Sequence, residues 1–120
     1  MKLLTDSIRQ RLLANGRANI DADGFPLENP IDHKPVVKLF TPDAGCTWLL
    51  TELDPEDTDI AFGLCDLGLG CPELGSVRIS EIESVRGKLG LAVERDLHFE
   101  ADKTLLAYAA EAHKHGAIQA

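Results

Sequence analysis

The stretch from Pro35 to Val85, PVVKLFTPDAGCTWLLTELDPEDTDIAFGLCDLGLGCPELGSVRISEIESV, constrains the fold more than any other part of the chain. Short runs rich in β-branched, aromatic and apolar residues alternate there with acidic, Gly- and Pro-bearing turns, the pattern of a strand meander. The predicted strands are Val36–Phe40, Thr47–Leu53, Ile60–Leu67 and Gly75–Ile79, with turns at Thr41–Gly45 and Asp54–Asp57. Connections this short cannot make the crossover that a parallel pair requires, so successive strands are expected to pair antiparallel.

Side chains alternate along a strand, which sorts these residues by face. Ile60, Phe62, Leu64 and Asp66 fall on one side of the third strand, and Ala61, Gly63, Cys65 and Leu67 on the other. On the second strand, Leu49 and Leu53 are expected opposite Trp48 and Leu50. Apolar residues on both faces imply that both are covered. Trp48, Leu50, Phe62 and Leu64 are the predicted core.

Helices flank the meander. Thr5 is a natural N-cap for Thr5–Ala14, with Ile8 and Leu12 on one face and Asn15-Gly16 as a left-handed stop. Ser80-Glu81-Ile82-Glu83 matches a capping box for a short helix ending by Gly87. Leu89–Phe99 has room for one further edge strand. Asp102 or Thr104 opens a last helix, closed by Gly116, whose buried stripe reads Leu105, Leu106, Ala109, Ala112. Residues 17–34 lack periodicity and carry the breakers Asp23-Gly24, Pro26 and Asn29-Pro30, so they predict a long surface loop pinned by Ile20, Phe25, Leu27 and Ile31, or a lid or partner-binding segment. The fold class is α+β: one domain over 1–120, an antiparallel sheet of four to five strands with about three helices packed against it.

Composition excludes several classes. No apolar run approaches the ~20 residues of a membrane span. Asp6, Arg9 and Arg11 interrupt any leader-like h-region in MKLLTDSIRQR. Three cysteines, an odd number, argue against a disulfide framework and for reduced thiols in a cytoplasmic protein. The net charge of −8 argues against direct nucleic-acid binding, and Arg9, Arg11 and Arg17 are the nearest approach to a basic group. An acidic surface suits solubility, a basic partner, or competition for a nucleic-acid-binding surface.

Candidate chemistry is sparse. Cys65 and Cys71 stand too far apart for the usual zinc-ligand pair, and His113 and His115 point in different directions on a helix, so no metal is expected. A nucleophilic cysteine would need His33 or His98 beside it, and the acids around Cys65 oppose a thiolate. The Asp54–Asp59 acids occupy a solvated turn without the spacing of a calcium loop. The glycines of Gly68–Gly75 are misplaced for a phosphate loop, so no cofactor is expected. Glu52, Asp66 and Glu73 remain as candidate catalytic carboxylates. Asp66 is also placed to cap the glycine-rich loop that follows it. A simple hairpin pairing Leu53 with Ile60 would set Glu52 and Asp66 toward opposite ends of the strand pair.

The runs KLFTPDAGCTWLLTELDP and DIAFGLCDLGLGCPELG, then SEIESVRG, with Leu3-Leu4-Thr5, Asn15-Gly16 and ERDLHF at Glu94–Phe99, resemble the DUF2958 family across nearly the whole chain. The resemblance implies a small stand-alone bacterial domain often met on plasmids, phages and integrated elements. It brings no established activity or catalytic residue. Ser76 stands where the family pattern leads one to expect tyrosine. The expected function is a non-enzymatic accessory or interaction domain whose partner is another protein. The alternatives are a small hydrolase or metal-dependent enzyme using Glu52, Asp66 and Glu73, and an acidic decoy of a nucleic-acid-binding protein.

Overall fold

The meander closes into one antiparallel sheet in the order β4-β3-β2-β1-β5. In this computed structural model, which describes residues 2–120, the strands are β1 (Val37–Phe40), β2 (Thr47–Leu53), β3 (Ile60–Asp66), β4 (Glu73–Arg78) and β5 (Glu94–Arg95). The helices are α1 (Asp6–Ala18), α2 (Ile79–Ser84) and α3 (Leu105–His115). The architecture is α+β, as the sequence predicts, and β5 is the extra edge strand, paired with β1.

Both sheet faces are covered, because apolar side chains stand on both. Leu12 of α1 and Ile79 and Ile82 of α2 pack with Val37, Leu39, Trp48, Leu50, Leu53 and Ala61 on one side. On the other, Leu105, Tyr108, Ala109 and Ala112 of α3 pack on Leu49 and Leu64. No helix among the described residues is long and apolar enough to cross a membrane.

Strict alternation fails at one place. The β2–β3 register runs Leu50 opposite Gly63 and then Glu52 opposite Phe62, so Thr51 is an extra residue in a β-bulge. Beyond it, the faces exchange. Leu53 therefore joins Trp48 and Leu50 instead of opposing them, and it pairs with Ala61, not Ile60. The same slip turns Glu52 onto the face of Phe62. Gly63 is required here, because a Cβ on it would strike the Leu49 carbonyl oxygen.

Three helix expectations need correction. The N-cap of α1 is Thr5, whose Oγ1 accepts from Ile8 N at 3.1 Å, but the helix runs through Asn15-Gly16 to Ala18. Gly16 is a packing residue, since a side chain there would drive into the Leu53 carbonyl oxygen. Ser80 is not the cap of α2. Asp59 caps it from the distant β2–β3 turn, accepting from Ser80 N at 2.9 Å and Ser80 Oγ at 2.7 Å. These bonds, with smaller help from Arg78, hold the Asp59 carboxyl below the usual carboxylate range. In α3, which starts after Thr104 and ends at left-handed Gly116, Tyr108 takes the buried place expected of Leu106, which is 54% exposed.

Of the predicted core, Trp48, Leu50 and Leu64 are buried, whereas Phe62 is only half-buried. In the long loop, Phe25 and Ile31 are exposed and do not pin it. Asn19 does, as described below.

Gly16→Ala provides a test of the packing role. On a solvent-facing helix surface this change gains about 1 kcal/mol of helix propensity. Here overpacking against Leu53 should reverse the sign and lower stability by about 1–3 kcal/mol. Urea denaturation reads the difference, and a stabilised variant would refute the packing role.

Candidate functional site

The three candidate carboxylates do not meet. Glu52 follows the bulge on β2 and faces the α3 side of the sheet. Asp66 shares that face but sits at the other end of β3, four residues from Phe62, the register partner of Glu52. That is roughly 13 Å at ~3.3 Å per residue. Glu73 pairs with Cys65 at the start of β4, on the opposite face, and is exposed. Among the described residues, no group of three His, Cys, Asp or Glu side chains is arranged to hold a metal ion.

Asp66 has a structural task that accounts for both its oxygens. It is 4% exposed; Oδ1 accepts from Gly68 N at 2.8 Å and Oδ2 from Ile118 N at 3.0 Å. The first bond is the loop cap that the sequence suggests. The second ties down the segment after α3, a contact across the chain that no local pattern announces.

The thiols are equally quiet. All three cysteines are free. Burial alone pushes the Cys65 thiol up to about 11, far from a thiolate at neutral pH. Cys71 is exposed. His113 Nε2 donates to the Pro72 carbonyl at 2.7 Å.

What the fold does build is a groove around Glu52. Asn19, just past α1, donates from Nδ2 to Glu52 Oε2 at 2.7 Å and, more weakly, to Ile31 O at 3.3 Å. Its Oδ1 accepts from Ile31 N at 2.7 Å, and its carbonyl accepts from Leu27 N at 3.0 Å. One buried side chain thus folds the 20–31 segment back over the sheet. Further along, His33 O accepts from Leu105 N at 2.9 Å and Asp32 Oδ1 from Leu106 N at 3.1 Å. The loop therefore caps α3, satisfying donors that the first helical turn leaves open.

Between loop, sheet and α3 lies a cavity of about 320 Å³. Leu27, Ile31, Phe62, Leu105 and Leu106 line it, with Glu52 and Asp32 as its acidic walls. A second lobe of about 410 Å³ continues past Asn19, Pro26, Glu52 and Phe62, which belong to both, toward Pro55 and Ser76. Half-exposed or exposed apolar side chains around a few placed polar groups are the makings of a binding surface. Asn19 and Asp32 were not predicted as site residues. The only local hint was an Asn after a helical run and an Asp before Pro-flanked apolar residues, both common in loops that do nothing further.

The fold is a small single-sheet α+β domain with a groove beside Glu52. The chain belongs to the DUF2958 family, proteins of unknown function, whose model matches residues 3–119. No curated protein and no solved structure gives a significant match.

Asp66→Asn keeps one acceptor oxygen and loses the other, leaving a buried donor without its partner. It should cost about 1–3 kcal/mol and speed hydrogen exchange at Gly68 and Ile118. Magnesium or calcium should leave the melting temperature of the wild type unchanged. A metal-dependent rise abolished by Asp66→Asn and by Glu52→Gln alike would restore the shared-site reading.

Thiol labelling gives a second check. Under native conditions Cys71 should react with an alkylating reagent well before Cys65. Because the folded pKa of Cys65 lies above its ordinary value of 9.0, its contribution to stability is present below pH 9 and is lost as pH rises through about 11. Equal labelling rates at pH 8 would contradict the burial.

Proposed function

We propose that this protein is a non-enzymatic accessory domain that captures a segment of another protein in the groove beside Glu52. The observation that supports this reading is the groove itself. It leaves Leu106 54% and Ile31 52% exposed beside half-buried Phe62 and Leu27, an apolar surface that the chain's own residues do not cover. Its charged walls, Asp32 and Glu52, are both acidic, in a chain of net charge −8. The occupant that fits is a basic segment carrying one or two large apolar side chains, with apolar anchors for affinity and cationic residues for steering. Ser76 lines the second lobe, so this position is placed to tune which segment is accepted. A bacterial cytoplasm, and carriage on a mobile element, are the setting in which we place it.

Selection of random peptides displayed on phage against the immobilised protein tests the reading. Enriched peptides should combine Leu or Phe with Lys or Arg, and should lose at least tenfold in affinity against Leu106→Glu. That substitution changes an exposed position and should leave the melting temperature unaltered. Peptides that bind Leu106→Glu as well as wild type would move the site elsewhere. Turnover of a hydrolase substrate, lost in Glu52→Gln, would replace the binding reading with the enzymatic one.

A further inference from the structure

A second cleft lies on the far side of His33 from the acidic groove. It has a volume of about 1010 Å³ and lies between α1, the His33–Val36 segment and the Leu97–Ala101 segment. Arg11 and Asn15 reach it from one face of α1, four residues apart, and Lys34, His33 and His98 line its other walls. Glu100 is its one acid. In a chain with 20 acidic and 12 basic residues, two full cations and two imidazoles on a single cleft reverse the overall charge balance.

These cations are also unspent. Lys38, Arg78 and Lys103 are engaged in ion pairs, and Arg86 and Arg95 donate to backbone carbonyls. Arg11 and Lys34 have no ion pair among the described residues. His33, the residue common to cleft and groove, also has a buried Nε2 without a hydrogen-bond partner. An orphaned buried ring nitrogen is the kind of group that a ligand satisfies.

We propose that this cleft binds a small phosphate-bearing molecule, a phosphomonoester or diphosphate. A planar carboxylate is matched by a single guanidinium fork, whereas donors arriving from three separate chain segments suit the several oxygens of a tetrahedral oxyanion. The surrounding negative charge opposes an extended polyanion, whose affinity depends on many phosphate contacts along a basic track. A compact anion needs only the cleft. The cleft shares only His33 with the peptide groove, and the proposal does not rest on the peptide-binding reading.

Titration calorimetry with inorganic pyrophosphate, at ionic strength held constant with chloride, tests the proposal on the full chain. Wild type should bind saturably with one site. Arg11→Gln and Lys34→Gln should each weaken binding by about tenfold or more, the loss expected of one charge-assisted contact. Lys88→Gln removes the same charge from a loop outside the cleft and should stay within about twofold. Lys34 lies on the surface, so Lys34→Gln keeps the test valid if Arg11→Gln perturbs α1. Absence of saturation would overturn the proposal, as would an equal loss in Lys88→Gln, which would mean a general charge effect. Tighter binding of single-stranded oligothymidylate than of pyrophosphate, lost in the same two variants, would assign the cleft to nucleic acid and also overturn it.

Discussion

The last two turns of α1 rest on the backbone of β2, and most of the molecule depends on that contact. Three consecutive β2 residues are engaged. Asn15 Nδ2 donates to Thr51 O at 2.9 Å, Asn19 reaches the Glu52 carboxylate, and Gly16 lies against the Leu53 carbonyl. The bulge at Thr51 makes the arrangement possible, because it turns Leu53 toward the helix and Glu52 away from it. An unbroken strand would aim Leu53 at α3 and Glu52 into the α1 core, where an unpaired carboxylate is strongly disfavoured. One extra residue in β2 thus sets both the core and the groove.

Elsewhere, loops are held by polar side chains that bond to backbone. Thr41 Oγ1 accepts from Cys46 N at 2.9 Å and closes the β1–β2 turn. Asp43 Oδ2 accepts from Leu89 N at 2.6 Å and organises the loop after α2. Asp59, Asp66 and Asn19 do the same at α2, at the glycine-rich loop and at the long loop. This accounts for much of the acidic excess near the meander. Several of those carboxylates act as caps for N–H groups.

The two cavities differ in kind. The groove is apolar with acidic walls, built by a loop folded over the sheet; the cleft is polar and cationic, built from three segments distant in the chain. His33 belongs to both walls, and its carbonyl also caps α3. The long loop, which carries the least regular pattern in the sequence, contributes to each cavity. Loops positioned by a rigid scaffold commonly carry function for this reason: their side chains are free of ladder and core duties.

Sheet membership, strand order of pairing and the two-sided core were legible in the sequence, because period-2 alternation and short turns are local signals that burial enforces. The Thr5 cap, the Gly116 stop, the edge strand near Glu94 and the loop-capping role of Asp66 were legible for the same reason. Other features were not. Asn15-Gly16 has the chemistry of a helix stop, yet the close approach of β2 uses the missing Cβ for packing instead. Ser80 and Glu83 form a capping box on paper, but Asp59, 21 residues away, reaches the site first. Leu106 and Tyr108 exchange burial because Leu105, Tyr108, Ala109 and Ala112 share the helix face that packs on Leu49 and Leu64, which leaves Leu106 off it. The bulge at Thr51 leaves no mark in composition, and with it went the face of Glu52 and Leu53. Local chemistry determined which elements form; only the tertiary structure decided which side chains were left over to bind something, since that depends on close approaches between segments far apart in the chain.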